Sequence, residues 1–87
     1  MSIQYRTSDL NLAAFLRAKY KLKIRELQPD LVERDRAVFL FLIDDDFDIE
    51  DAVTKYFNKD DECSVSEYMA AVSDLRTWVR NFKINKG

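Results

Sequence analysis

The longest apolar run in the chain, Ala37-Val38-Phe39-Leu40-Phe41-Leu42-Ile43, leads directly into Asp44-Asp45-Asp46. It is far shorter than the roughly 20 residues a membrane helix requires, and its Val, Phe and Ile favour a pleated backbone. The pattern predicts a central strand over residues 37–43. Alternation sends Phe39, Phe41 and Ile43 to one side and Val38, Leu40 and Leu42 to the other. Both sides are apolar, so this strand is expected to be covered twice, by the chain's own helices or by another subunit.

The flanking segments read as the covers. Ile3-Gln4-Tyr5-Arg6 alternates apolar with polar and predicts a short lead strand or extended arm over residues 3–6. Thr7 or Ser8 is the expected N-cap of a first helix, with Asp9 favouring its positive end. That helix runs from Leu10 to about Lys19, with Leu12, Ala13, Phe15, Leu16 and Tyr20 forming a wide apolar stripe. From Tyr20 the period becomes two. Leu22 and Ile24 are expected on one face, and Lys21, Lys23 and Arg25 on the other, in a strand over residues 21–27. The segment 28–36 holds the sole proline and reads as the connection of an antiparallel hairpin and the most mobile loop.

Acids at 44–48 end the central strand and open a second helix carrying Ile49, Ala52, Val53, Tyr56 and Phe57, which stops near Asn58. Ser64-Val65-Ser66-Glu67 matches a capping box, with Cys63 and Tyr68 at the staple positions. A third helix follows to Asn81 or Lys83, bearing Tyr68, Val72, Leu75, Val79 and Phe82 and widened by Met69, Ala71 and Trp78. The predicted fold is a single small α+β domain of order (β)-α-β-β-α-α, without internal repeats.

With 87 residues, the chain buries only about 60 to 65% of its unfolded surface, so a partner subunit would contribute materially to stability. One cysteine excludes an intrachain disulfide and a cysteine zinc site, and the N-terminal segment lacks the apolar core of a secretory signal. A cytoplasmic protein, with no membrane partner, is the expectation. Residues 1–43 carry eight Lys or Arg against five acids, and residues 44–87 carry six against eleven. The polarity changes at the end of the central strand.

Several segments together resemble a known family: Tyr5 through Leu16, the apolar strand running into acids, Tyr56-Phe57-Asn58, Val65-Ser66-Glu67-Tyr68 and Leu75-Arg76. They are similar to short phage- and prophage-associated bacterial proteins known only as a domain of unknown function. The resemblance implies the same architecture and a mobile-element origin, and supplies no activity, cofactor or site residue. That family often has a glycine after the first helix and another after the Asn of Tyr-Phe-Asn. Here Ala18-Lys19-Tyr20 and Asn58-Lys59-Asp60 lack them, so a left-handed cap after helix one would have to form without glycine.

Three constellations could carry function. Asp44, Asp46, Asp48 and Glu50 resemble the start of a calcium loop, yet Ile49 and Lys55 stand where Gly and a bidentate Glu are required. Helix capping and solubility explain these acids better than a metal. Lys21, Lys23 and Arg25, with Arg76 and Arg80, form basic stripes suited to phosphates, and Tyr5 or Tyr20 could stack on a base. Against that stand a pI near 5.1 and the habit of edge strands to carry lysine as protection. Catalysis lacks material: there is no His, no Gly-rich loop, and Cys63 has no His partner. The third constellation is surplus apolar surface, Val38, Leu40 and Leu42 with Tyr68 and Trp78. A closed monomer, with helices one and three on one face and helix two on the other, balances evenly against a homodimer. The reading is a non-enzymatic protein-interaction or self-association module without cofactor or metal, with nucleic-acid binding as the alternative. Whichever face of the central strand is left uncovered is the expected binding site.

Overall fold

A computed structural model describes residues 2–29, 36–59 and 62–86. The elements are β1 (Ser2–Thr7), α1 (Leu10–Tyr20), β2 (Lys23–Pro29), β3 (Ala37–Asp44), α2 (Ile49–Asn58) and α3 (Val65–Lys86), an α+β fold in the expected order. The strands form one antiparallel sheet in the order β1-β3-β2. The apolar strand is central, and residues 3–6 lie in a full strand paired with it from Ser2 opposite Asp44 to Thr7 opposite Phe39.

β2 starts and ends two residues later than the alternation suggests, because Lys21 is taken up in closing α1. Gln28 and Pro29 pair with Val38 and Ala37, so they belong to the sheet; the expected mobile loop falls on residues 30–35, outside the described residues. Pro29 is tolerated because β2 is an edge strand. The register of β2 shifts between Ile24 and Glu26. This bulge absorbs Arg25, and it has a clear packing reason. Ile24 and Leu27 are three apart and would face opposite sides of a regular strand, yet they pair with Phe41 and Phe39 and both reach the core side.

The N-terminus of α1 is capped by Asp9, not by Thr7 or Ser8. Asp9 Oδ1 accepts from the amides of Asn11 at 3.0 Å and Leu12 at 3.2 Å, while Thr7, still in β1, uses its hydroxyl to accept from the Asp9 amide. A carboxylate at this position adds charge to the capping bond, which the hydroxyls cannot. At the other end Lys21 adopts φ 57, ψ 31, so the left-handed cap does form without glycine. Lys59 closes α2 in the same way at φ 59, and Asp48 caps its start by accepting from the Asp51 amide at 3.0 Å. The capping box before α3 is not made. Glu67 turns away to pair with Lys21 Nζ at 3.2 Å, and the Ser64 hydroxyl lies 3.0 Å from that of Ser66.

The core gathers Leu12 to Leu16 and Ala18 of α1, Leu27, Phe39, Phe41 and Ile43 of the sheet, Ala52 of α2, and Ala71 and Leu75 of α3. Five consecutive buried residues in α1 exceed the single stripe read from the sequence. α1 is enclosed because α3 packs along it, and Ala13, Ala14 and Ala18 permit the close approach. All three helices thus feed one core with Phe39, Phe41 and Ile43. Among the described residues the other face of the sheet receives no helix, so the chain's own helices cover one face only, and α2 lies on the same side as α1 and α3 and not opposite them.

Candidate interaction surface

On the helix-free face the register places Gln4 and Arg6 of β1, Val38, Leu40 and Leu42 of β3, and Lys23, Glu26 and Gln28 of β2. Leu42 is 37% exposed and Val38 half-buried, while Leu40 is only 1% exposed. Leu40 sits in register between Arg6 and Glu26. The Gln28 amide donates to Glu26 at 3.1 Å, fixing that rim. The result is a narrow apolar row with a polar border.

The structure separates the sequence-predicted apolar set. Val38, Leu40 and Leu42 share the open face, but Tyr68 and Trp78 lie on the helix side, half-buried against the core. The basic set is divided too. Lys21 is the helix cap and is ion-paired, Lys23 stands beside Leu42 on the open face, and Arg25 occupies the bulge. Arg76 and Arg80 are exposed on the side of α3 away from Trp78. Their rings engaged elsewhere, the candidate stacking tyrosines are not available: Tyr20 packs at 6.1 Å against Phe15 and 5.2 Å against Phe47, and Tyr5 is half-buried opposite Phe41 on the core side.

Sequence reasoning missed a groove between the start of β2 and α3. It encloses about 720 Å³ and is lined by Arg17, Lys21, Lys23, Asp74, Trp78 and Asn81, among others. Only the helical spacing of Asp74, Trp78 and Asn81 could have suggested a common face; the apposition of α3 to the β2 start is tertiary. Also missed was the role of Gln4 and Arg6 as a rim, because their side follows from which face the helices choose.

Around the N-cap of α1, three tyrosines share one electrostatic environment. Burial first, and then the Asp9 carboxylate, push the phenols of Tyr5, Tyr56 and Tyr68 above their ordinary value; at Tyr68 the Cys63 thiol adds to the rise and Arg76 opposes it. Cys63 is half-buried there, beside the staple position expected of it. In the acidic run, Asp48 is committed to the α2 cap, and among the described residues no three His, Cys, Asp or Glu side chains converge on a metal-sized site. No helix among them is long and apolar enough to cross a membrane.

A search of curated proteins returns no significant match. Nor does a search of solved structures. Residues 2–81 do match a protein family, and the chain belongs to it: the domain of unknown function DUF5659.

Proposed function

We propose that this domain is a non-enzymatic interaction module that binds a protein partner through the helix-free face of its sheet, at Leu42 and Val38 on either side of the buried Leu40. The observation that carries this reading is the one-sided cover of an apolar central strand. An exposed face that served no purpose would alternate apolar with polar at β3, as β1 does at Gln4 and Arg6. The polar border of Arg6, Lys23 and Gln28 resembles the rim that surrounds an apolar interface centre. In keeping with the family resemblance, the setting is accessory to a phage or prophage, and the protein acts in the cytoplasm.

The experiment is affinity capture from the source cells with the wild-type chain, Leu42→Lys and Arg80→Glu, read by quantitative mass spectrometry. A partner held by wild type and Arg80→Glu and lost with Leu42→Lys supports the open face. A partner retained equally by Leu42→Lys contradicts it.

Nucleic-acid binding is the second reading, favoured by the groove in which Arg17, Lys21 and Lys23 surround Trp78. Three features weigh against it: Asp74 lines the same groove, Lys21 is engaged by Glu67, and the open face presents aliphatic side chains where sheet-based RNA binders present aromatics. A mobility shift on single-stranded DNA and RNA at low salt discriminates. Retardation by wild type that is lost in Trp78→Ala would favour the groove over the sheet face.

A further inference from the structure

The two edges of the sheet differ in kind. β2 is protected against pairing with another strand: its register breaks at the Arg25 bulge, it ends on Pro29, and it carries Lys23 and Arg25. β1 has neither the bulge nor the proline, and its one charge is Arg6. Ser2–Thr7 pairs without irregularity to β3 on one side, contains neither proline nor lysine, and among the described residues has no strand on its other side. A split β-α-β-β-α-β arrangement ends on a sixth-element strand, whereas here the sixth element is α3. The outward N–H and C=O groups of β1 are therefore a pairing surface.

We propose that β1 pairs antiparallel with β1 of a second copy of this chain, giving a continuous six-stranded sheet. The strand is self-complementary about a two-fold axis at Gln4. In that register both sets of helices stay on one side of the sheet, and Ile3 of each copy faces Tyr5 of the other. Ile3 is 45% exposed on the helix side, so the pairing covers apolar surface the single chain leaves open. On the opposite side Arg6 of one copy falls opposite Ser2 of the other, in line with Asp44, the register partner of Ser2. Arg6 and Asp44 are then two strand spacings apart, about 10 Å between backbones, within the combined reach of their side chains. Each contact occurs twice by symmetry. A dimer through this edge does not cover Val38 or Leu42, so it is independent of binding at the open face.

The test is light scattering on a size-exclusion column at several hundred micromolar, combined with cysteine cross-linking in a Cys63→Ser background. The chain mass is 10.3 kDa, and the dimer predicts twice that. Residues directly opposite in an antiparallel pair are about 4.5 to 5.5 Å apart, inside the range a disulfide spans. Gln4→Cys therefore gives a covalent dimer under mild oxidation, and Gln28→Cys, on the blocked edge, does not. Arg6→Glu weakens the dimer at least tenfold, and adding Asp44→Arg restores it. A wild-type mass of 10.3 kDa overturns the proposal, as does a dimer that is dispersed by Leu42→Lys or cross-linked through residue 28 in preference to residue 4.

Discussion

Among the described residues, Lys59 and Lys21 hold a positive φ, and neither is glycine. A side chain in that region costs roughly 1 kcal/mol, which glycine avoids. Lys59→Gly is accordingly expected to stabilise the fold by about 0.5 to 1 kcal/mol, raising the melting temperature by about 4 °C, as calorimetry would show. Lys21→Gly gains less, because it forfeits the Glu67 pair. The position after Asn58 was legible as one where glycine would serve. What could not be read from sequence was that lysine still adopts the conformation, in which its amide donates to the Lys55 and Tyr56 carbonyls. Likewise, Asp9 as N-cap lay one residue beyond the Thr7 and Ser8 chosen on propensity, since only the end of β1 decides which residue is free to cap.

The three raised phenols make a second prediction at this scale. Their neutral forms are favoured in the folded chain, so the stability they contribute is complete below the unfolded value near 10 and is lost as the pH climbs through the higher folded values. Denaturation monitored from pH 8 to 12 should show stability level to about pH 10 and falling above it, with tyrosinate absorbance of Tyr5, Tyr56 and Tyr68 delayed relative to unfolded chain. Unshifted tyrosinate absorbance would mean that burial and Asp9 do not act on these rings.

Among the elements, β3 and the three helices were legible because their hydrophobic periods are long and consistent. β2 was not. Its alternation from Tyr20 to Arg25 suggested one register, and the bulge at Arg25 created another, so that Lys21, Lys23 and Arg25 do not share a face. The bulge is forced by long-range packing of both Ile24 and Leu27 against Phe41 and Phe39. Deleting Arg25 leaves Ile24 and Leu27 two apart, so a regular strand still sends both to the core opposite Phe41 and Phe39. Urea denaturation of the deletion variant should therefore show stability within about 1 kcal/mol of wild type. A loss of about 2 kcal/mol or more, the cost of exposing Leu27, would mean that the bulge does not serve to align the two residues. A similar tertiary effect explains α1, whose burial on nearly all sides reflects α3 lying along it and not its own sequence period.

At the scale of the whole molecule, the sequence posed the question of what covers each face of β3, and its own pattern could not answer it. Three amphipathic helices are compatible with covers on both sides. The connections decide: α1 leaves β1 and returns to β2, two strands that flank β3, and α2 and α3 then join the core on the same side. The apolar candidates Tyr68 and Trp78 were consequently separated from Val38, Leu40 and Leu42, which remain as the helix-free row. Two adjacent residues, Leu42 and Ile43, now stand for the two faces, one 37% and the other 1% exposed. The most direct measurement is the thermal unfolding of Leu42→Lys beside that of Ile43→Lys. A sheet covered on one face predicts that Leu42→Lys melts cooperatively within about 4 °C of wild type, a change of about 0.5 kcal/mol, while Ile43→Lys loses its cooperative transition because a lysine is left unpaired in the core. Equal damage from both substitutions would contradict an open face.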